Sequence, residues 1–310
     1  MSETVAAGTI IEVRVPATAA NLGPGFDSFA LALGLYNTLE LTVLRPDSGT
    51  SIDITGEGEH TLARDDENLV VTAMERLAAI SGRPLPSFHL RMRNGIPLGR
   101  GLGSSAAAIA GGLLGAAVML DVDHSPTALL DVALSLEGHP DNIVAALWGG
   151  FTIGALQDGG AAVHRIAPPE GLHAVMLIPD QYSSTNESRA TLPESVTRAD
   201  SIFNTSRAAL MVAAFAEGKL DLLRVAMEDR LHQPYRTAGF RYLPAAIDAA
   251  IAAGAHGASL SGAGSSVIAL ASTGCDRIAT AFSRVASEYR LNACTCTLSP
   301  DSAGATFTIR

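Results

Sequence analysis

An α+β protein of two lobes is what this sequence predicts, and three observations carry the prediction. Alternating apolar and polar residues recur in three stretches of the first sixty positions, helix-periodic apolar residues crowd the second half, and a glycine turn in the first half separates a strand-like segment from an apolar one. With 310 residues, 47% of them hydrophobic and only 17% charged, the chain can bury one large core or two moderate ones. No stretch has the composition of disorder.

In chain order, strands are expected at Ile10 to Val15, Leu39 to Leu44 and Ser51 to Thr55, so an antiparallel sheet opens the chain. A helix is expected from about Asn68 to Ile80, with Glu67-Asn68 supplying its cap, and a strand near Phe88 to Arg93 then leads into the glycine turn. Residues Gly101 to Leu120 carry no charge and are about as long as a membrane span. Five glycines and many alanines make their transfer into lipid weak, so a buried helix that packs closely on a sheet is expected instead. Asp141 or Asn142 starts a short helix over Ile143 to Leu147. After Gly149-Gly150, a buried strand is expected at Ala174 to Ile178, then helices at Ala199 to Ala216, Leu220 to Leu231 and Leu243 to Ala253. Strands at Ser259 to Ala271, with glycines inside it, and Cys294 to Leu298 close the chain. The boundary falls near residues 155 to 175, which gives lobes of 1–165 and 166–310.

Composition excludes some functions. A formal charge of −10 with scattered arginines argues against a nucleic-acid surface, so any phosphate is bound locally. Met1 to Thr9 has no positive flank followed by an apolar block, so no signal peptide and a cytoplasmic location are expected, with no membrane partner. Cys275, Cys294 and Cys296 are expected to be reduced structural thiols, since the Cys-x-Cys pair lacks a second pair to complete a zinc site.

The most informative stretch is Pro97-Leu98-Gly99-Arg100-Gly101-Leu102-Gly103-Ser104-Ser105-Ala106. Glycines at alternating positions let backbone approach a bulky anion, and two hydroxyls stand where a helix begins with free N–H groups. It is not a Walker A loop, because no lysine occurs between Gly95 and Leu120, nor a dinucleotide fingerprint, because Ser104 stands at the third glycine. Taken alone, such a loop has equally the composition of a flexible linker.

Three further constellations accompany it. Asn21 and Asp27 flank the rigid turn Gly23-Pro24-Gly25, where they form an ordinary capped turn or hold an amine or hydroxyl. In Glu137-Gly138-His139-Pro140-Asp141-Asn142, Glu137 together with Ser104 or Ser105 offers the oxygen ligands that Mg²⁺ on a nucleotide prefers, and Asp141 can orient or deprotonate a hydroxyl. A zinc reading of Glu137, His139 and Asp141 is weaker, because His139 has no second histidine at useful spacing. Arg189 and Arg236 stand at turns of an arginine-poor chain, where each forms a surface ion pair or both clamp a carboxylate. Leu260-Ser261-Gly262-Ala263-Gly264-Ser265-Ser266 is a second glycine turn, suited to letting two backbones pass closely.

These loops, in this order and spacing over nearly the whole chain, resemble the GHMP family of small-molecule kinases, and within it the members that act on homoserine. The resemblance implies a two-lobe fold, with an N-terminal lobe like ribosomal protein S5 domain 2, a left-handed crossover within it, and a ferredoxin-like C-terminal lobe. It implies ATP, Mg²⁺ and transfer of the γ-phosphoryl group to the hydroxyl of L-homoserine in threonine biosynthesis, with a homodimer at the level of the family. By similarity, Pro97 to Ala106 hold phosphate, Asn68 lies beside adenine, and Ser105 and Glu137 bind the metal. Asn21 and Asp27 meet the amino acid's polar end, Arg189 and Arg236 its carboxylate, and His139, Asp141 and Asn142 its hydroxyl, Asp141 as the orienting group. The remaining alternatives are a family member acting on threonine, mevalonate or a sugar, and a non-catalytic nucleotide-binding protein. Two departures stand out: Ala30 replaces a glycine common in relatives, and Glu137 lies only two residues before His139.

Overall fold

The opening alternation folds as a long hairpin. In the computed structural model, which describes residues 5–310 without the side chains of Thr185 and Asn186, β1 (Ile10–Asn21) and β2 (Gly25–Val43) pair antiparallel from Ile10↔Thr42 to Asn21↔Gly25. Residues 1–4 of the segment read for a signal peptide lie outside that description. Only the end of β2 announces itself by alternation, because Phe29 to Leu33 are buried on both faces and a period of two is lost there. Ala30 sits in a cluster of Ala20, Ala32 and Ala145, so its methyl fills space that a glycine would leave.

β3 (Ser51–Gly56) and β4 (Phe88–Asn94) pair parallel, with α1 (Leu69–Ser81) as the crossover, so the sheet expected to be antiparallel is mixed. α1 starts at the expected cap, where Asn68 Oδ1 accepts the Val70 N–H at 3.0 Å. α2 (Ser104–Met119) is buried from Ala106 onward except at Ala108, and lies over the hairpin. Its glycines make the approach possible: a Cβ on Gly111 would come within 2.6 Å of Leu39 Cδ1, and one on Gly112 would meet the Val70 carbonyl of α1. Among the described residues no helix is long and apolar enough to cross a membrane.

α3 (Pro126–Glu137) and α4 (Pro140–Trp148) follow, then the hairpin β5 (Phe151–Gln157) and β6 (Gly160–Ile166), which joins the first sheet through Phe29↔Ile153. The second sheet begins with β7 (His173–Pro179), followed by α5 (Thr185–Ala190), α6 (Arg198–Glu217), α7 (Leu223–Ala226), α8 (Gln233–Arg236) and α9 (Leu243–Ala252). It is completed by β8 (Gly257–Leu260), β9 (Val267–Ala271), α10 (Cys275–Glu288) and β10 (Ala293–Leu298). Its strands are all antiparallel in the order β10-β7-β9-β8, the βαββαβ arrangement of ferredoxin-like sheets. β11 (Thr306–Ile309) then returns to the first sheet beside β1, so these closing residues hydrogen-bond to the first lobe.

Two expected elements are differently built. The helix expected over Leu220 to Leu231 breaks after α7, because the Asp229 carboxylate takes the N–H groups of Leu231, His232 and Gln233. The strand expected over Ser259 to Ala271 is two strands, with residues 261–266 forming the turn between them. Gly262 (φ 55°) and Gly264 (φ 93°) take left-handed backbone there that no strand residue adopts.

β7 explains how the lobes share apolar packing. Ala174, Met176 and Ile178 face the first core while Val175 and Leu177 face the second, between this sheet and α9 and α10. Phe151 of β5 stacks on Phe215 of α6 with centroids 4.1 Å apart, and Phe29 packs edge-on against it.

Candidate active site

The site lies where the first turn, the glycine loop after β4, the start of α4 and the β8–β9 turn converge. The loop owes its shape to Gly99, Gly101 and Gly103, at φ 61°, 73° and 70°. Each also lacks room for a side chain: a Cβ would strike the Tyr182 ring at Gly99, the Ser261 carbonyl at Gly101 and Thr18 Oγ1 at Gly103. Gly103 caps α2 without any side-chain hydrogen bond, so the first N–H groups of that helix face outward, with the positive end of its dipole behind them. Ser261 Oγ donates to the Gly101 carbonyl at 2.6 Å, and the Ser266 N–H donates to the Arg100 carbonyl at 3.1 Å. The second glycine turn thus locks the first in place.

Two cavities meet at this loop and share Gly99, Ser104, Ser105 and Tyr182 in their walls. The inner one, of about 240 Å³, is lined by Asn21, Asp27, Arg189 and Arg236 at one end and by Glu137 and His139 with the loop from Gly101 to Ser105 at the other, with Asp141 and Asn142 between. The outer one, of about 420 Å³, runs along β4 and the start of α1, past Asn68 and Leu98. Pro97, Arg100 and Ala106 line neither. The Arg100 side chain turns away to pair with Asp180, and Ala106 is buried in the core.

Asn21 and Asp27 are held by a strained turn, since Asn21, Leu22 and Asp27 all have positive φ. Asn21 Oδ1 accepts the Asp27 N–H, and its Nδ2 donates to the Gly262 carbonyl, both at 3.0 Å. Asp27 and Arg189 form a bidentate ion pair at 2.7 and 2.9 Å. Arg236, only 4% exposed, also donates to the Gly262 carbonyl, while its Nε has no partner among the described residues. Burial, helped by the neighbouring Arg189 charge, brings its pKa down to about 10. Both guanidinium groups lie over the Phe26 ring, at 5.2 and 5.6 Å.

At the opposite wall, Ser105 Oγ stands 2.9 Å from both carboxylate oxygens of Glu137. Burial raises the Glu137 pKa, against the pull of that hydroxyl. Asp141, 5% exposed in the first turn of α4, has its pKa pushed up to about 7 by burial, with Asp27 and Glu137 adding repulsion and the Asn142 N–H opposing it. Asn142 Oδ1 accepts from Thr18 at 2.7 Å, which ties the start of α4 to β1.

An anion cradle, a hydroxyl–carboxylate pair and a charged pocket in one cleft suit a phosphotransferase, and the chain matches families of that kind. The GHMP kinases N terminal domain matches residues 68–150, and the GHMP kinases C terminal domain matches residues 211–288. The chain belongs to the GHMP kinase family. Among GHMP kinases it is 44% identical to the homoserine kinase of Moorella thermoacetica over 257 residues, 83% of this chain and 86% of that one. It is 43% identical to the homoserine kinase of Clavibacter michiganensis over 274 residues, 88% of this chain and 86% of that one. The crystal structure of homoserine kinase from Cytophaga hutchinsonii superposes with a TM-score of 0.88 at 25% identity, covering 99% of this chain and all of that one. Membership in the GHMP kinases implies use of ATP.

One part of this GHMP kinase site is missing from the sequence reading. Behind Arg236, the fully enclosed side chain of Asp229 accepts from Asn204 Nδ2 as well as from three backbone N–H groups, and His232 reaches the Gly23 carbonyl at 2.7 Å. His232 Nδ1 lies 3.3 Å from Arg236 Nη1, and burial keeps the imidazole pKa low, so the ring stays neutral beside the guanidinium. The available signal was the polar cluster Glu228-Asp229-Arg230 interrupting an apolar helical pattern.

Proposed function

We infer that this chain is an ATP-dependent kinase that moves the γ-phosphoryl group of ATP onto the side-chain hydroxyl of L-homoserine, giving O-phospho-L-homoserine for threonine biosynthesis. The observation that carries the reading is a single cavity with a backbone anion cradle at one end, Asp27, Arg189 and Arg236 at the other, and Asp141 between. A zwitterion with a terminal hydroxyl answers all of these groups. Mevalonate or a sugar would leave Asp27 without an ammonium partner, and the chain's likeness to homoserine kinases supports the amino-acid acceptor.

In this reading Asp27 and Asn21 receive the ammonium, and Arg189 and Arg236 the carboxylate. The Asp27–Arg189 pair opens as each partner takes its half of the zwitterion, so no charge is left unpaired. Asp141 accepts the hydrogen bond of the hydroxyl and aims its oxygen at the phosphorus, with His139 and Asn142 closing the wall. The α2 N–H groups and the loop from Gly99 to Ser105 hold the phosphates. Residues 1–165, with β11, form the nucleotide lobe, and the rest of 166–310 completes the acceptor site.

Ser105 and Glu137 fit Mg²⁺, because a hydroxyl and a carboxylate already converge within hydrogen-bonding distance beside the cradle. No group of three or more His, Cys, Asp or Glu side chains that could hold a metal occurs among the described residues, which suits an ion ligated mainly by phosphate oxygens and water. When bound, the ion supplies charge neutralisation on the transferring phosphoryl group.

The test is ADP release from MgATP with L-homoserine, run beside L-threonine, mevalonate and galactose. Turnover with homoserine well above the others is expected. Preference for mevalonate or galactose would overturn the acceptor assignment, and ATP binding without turnover of any acceptor would overturn the kinase.

A further inference from the structure

The outer cavity holds two asparagines that nothing above employs. Asn37 and Asn94 are direct partners across the β2–β4 ladder, so their side chains stand on one face of the sheet, and both line this cavity. They are 4% and 5% exposed. Asn94 Nδ2 donates to the Glu57 carbonyl at 3.0 Å, and its Oδ1 has no partner among the described residues although it is buried. Asn37 is fixed the other way round: its Oδ1 accepts the Ile96 N–H at 3.0 Å, leaving Nδ2 as the free end. Neither amide can flip without setting like against like, carbonyl against carbonyl at Glu57 or N–H against N–H at Ile96.

Both residues border a cavity of about 420 Å³ that is also walled by Leu62, Met92, Leu98 and Ala108; Asn94 Oδ1 lies closed off beneath that wall, and once a ligand displaces it the pair offers one acceptor and one donor. That complements the edge of a 6-aminopurine, whose exocyclic amine donates and whose N1 accepts; a 6-oxopurine presents the reverse order. Asn68, the residue expected beside the base, is already engaged at both ends, by the Val70 N–H and by the Ala63 carbonyl at 2.7 Å.

We propose that Asn94 and Asn37 select the base of the nucleotide, Asn94 Oδ1 accepting from the 6-amino group and Asn37 Nδ2 donating to N1. The proposal rests on the kinase reading for the presence of a nucleotide. An unpaired buried acceptor is costly, so Asn94 stays unsatisfied until an amine arrives, and a base without one leaves it so.

Calorimetric titration of ADP, purine riboside 5′-diphosphate and inosine diphosphate, each with Mg²⁺, tests this without turnover. Wild type is expected to bind ADP about tenfold more tightly than the analogue lacking the amine. Asn94→Leu should bring that ratio close to one while changing the affinity for the analogue little. Asn37→Asp keeps the acceptor for Ile96 and replaces the donor by an acceptor, so it should move the inosine-to-adenosine ratio toward inosine by about tenfold. Equal weakening of all three diphosphates in Asn94→Leu with the ratio unchanged, or indifference of wild type to the amine, would overturn the proposal and leave the kinase standing. If wild type bound none of them, the kinase reading and this one would fall together.

Discussion

The two ends of the inner cavity are built from different materials. The end proposed to hold phosphate is backbone: glycines in left-handed conformations and the uncapped start of α2, contributed by one continuous segment. The end proposed to hold the acceptor is side chains: Asp27 from the first turn, Arg189 from α5 and Arg236 from α8, converging from distant parts of the chain. Backbone N–H groups carry no net charge and do not titrate, so the first end works alike at any pH and fails only when its shape fails. The second end depends on charges that set one another's state, as when Arg189 helps bring down the pKa of Arg236. Asp141 stands between the ends and senses Asp27 and Glu137 on either side.

Changing Asp141 should have the largest effect. Asp141→Asn keeps the shape but weakens the acceptor, and kcat is expected to fall about a hundred- to a thousandfold with little change in the KM for ATP. In wild type, kcat/KM should fall as pH drops below about 7, where the carboxyl takes up its proton, and this limb should vanish in the variant. Stability should move oppositely. The folded-state pKa lies above the unfolded 3.8, so the folded protein binds the extra proton between about 4 and 7, and wild type loses stability as pH rises through that window. Asp141→Asn should therefore melt higher than wild type at about pH 8, with the gap closing as pH falls toward 4. A variant that melts lower at both ends would show Asp141 to be a structural group.

Next comes the backbone end. Gly101→Ala drives a Cβ into the Ser261 and Gly264 backbones at a φ that side chains rarely adopt, and neither obstacle can rotate away. Turnover should drop about a hundredfold through displaced phosphate, with nucleotide affinity lost in calorimetry. Gly138→Ala is the control: its φ of 84° carries the same conformational cost, but a Cβ there meets nothing within 4 Å. Similar losses of affinity in both variants would mean that close approach is not what the loop needs.

This contrast also explains what could be read in advance. The loop after β4 was legible because glycine spacing states a backbone shape locally, and α1 because its cap and its apolar spacing agree. The pairing of Asp27 with Arg189 was not, since 162 positions separate them, and alone Asp27 reads as a turn cap and Arg189 as a surface ion pair. The first part of β2 hid for another reason: burial on both faces from Phe29 to Leu33 erases alternation there. α10 escaped despite buried Ile278, Phe282, Val285 and Ala286 at helical spacing. The loop around Asp229 reads as helix because the carboxylate that interrupts it acts through hydrogen bonds that no periodicity records.

At the acceptor end, Arg236→Met keeps length and burial but removes the charge. The KM for homoserine should rise about thirtyfold while the KM for ATP stays, since a hydrogen bond to a charged group is worth about 1.5–3 kcal/mol. Arg189→Met should do the same and in addition release Asp27, so the two variants together separate carboxylate binding from the opening of the ion pair. If neither changed the KM for homoserine, the carboxylate would have to lie elsewhere in the cavity.

The smallest effect is expected at Asn68, which touches the outer cavity yet spends its amide on structure. Asn68→Ala removes the α1 cap and should cost about 1 kcal/mol in denaturant unfolding. Asn68→Asp keeps the capping oxygen but sets a buried carboxylate oxygen against the Ala63 carbonyl and Met92 Sδ in place of the donor, so it should recover little of that stability. Neither should alter the preference for a 6-amino base. If Asn68→Ala abolished that preference while Asn94→Leu did not, base selection would belong to the helix cap rather than to the sheet, and α1 would join α2 as a helix whose first turn meets the nucleotide.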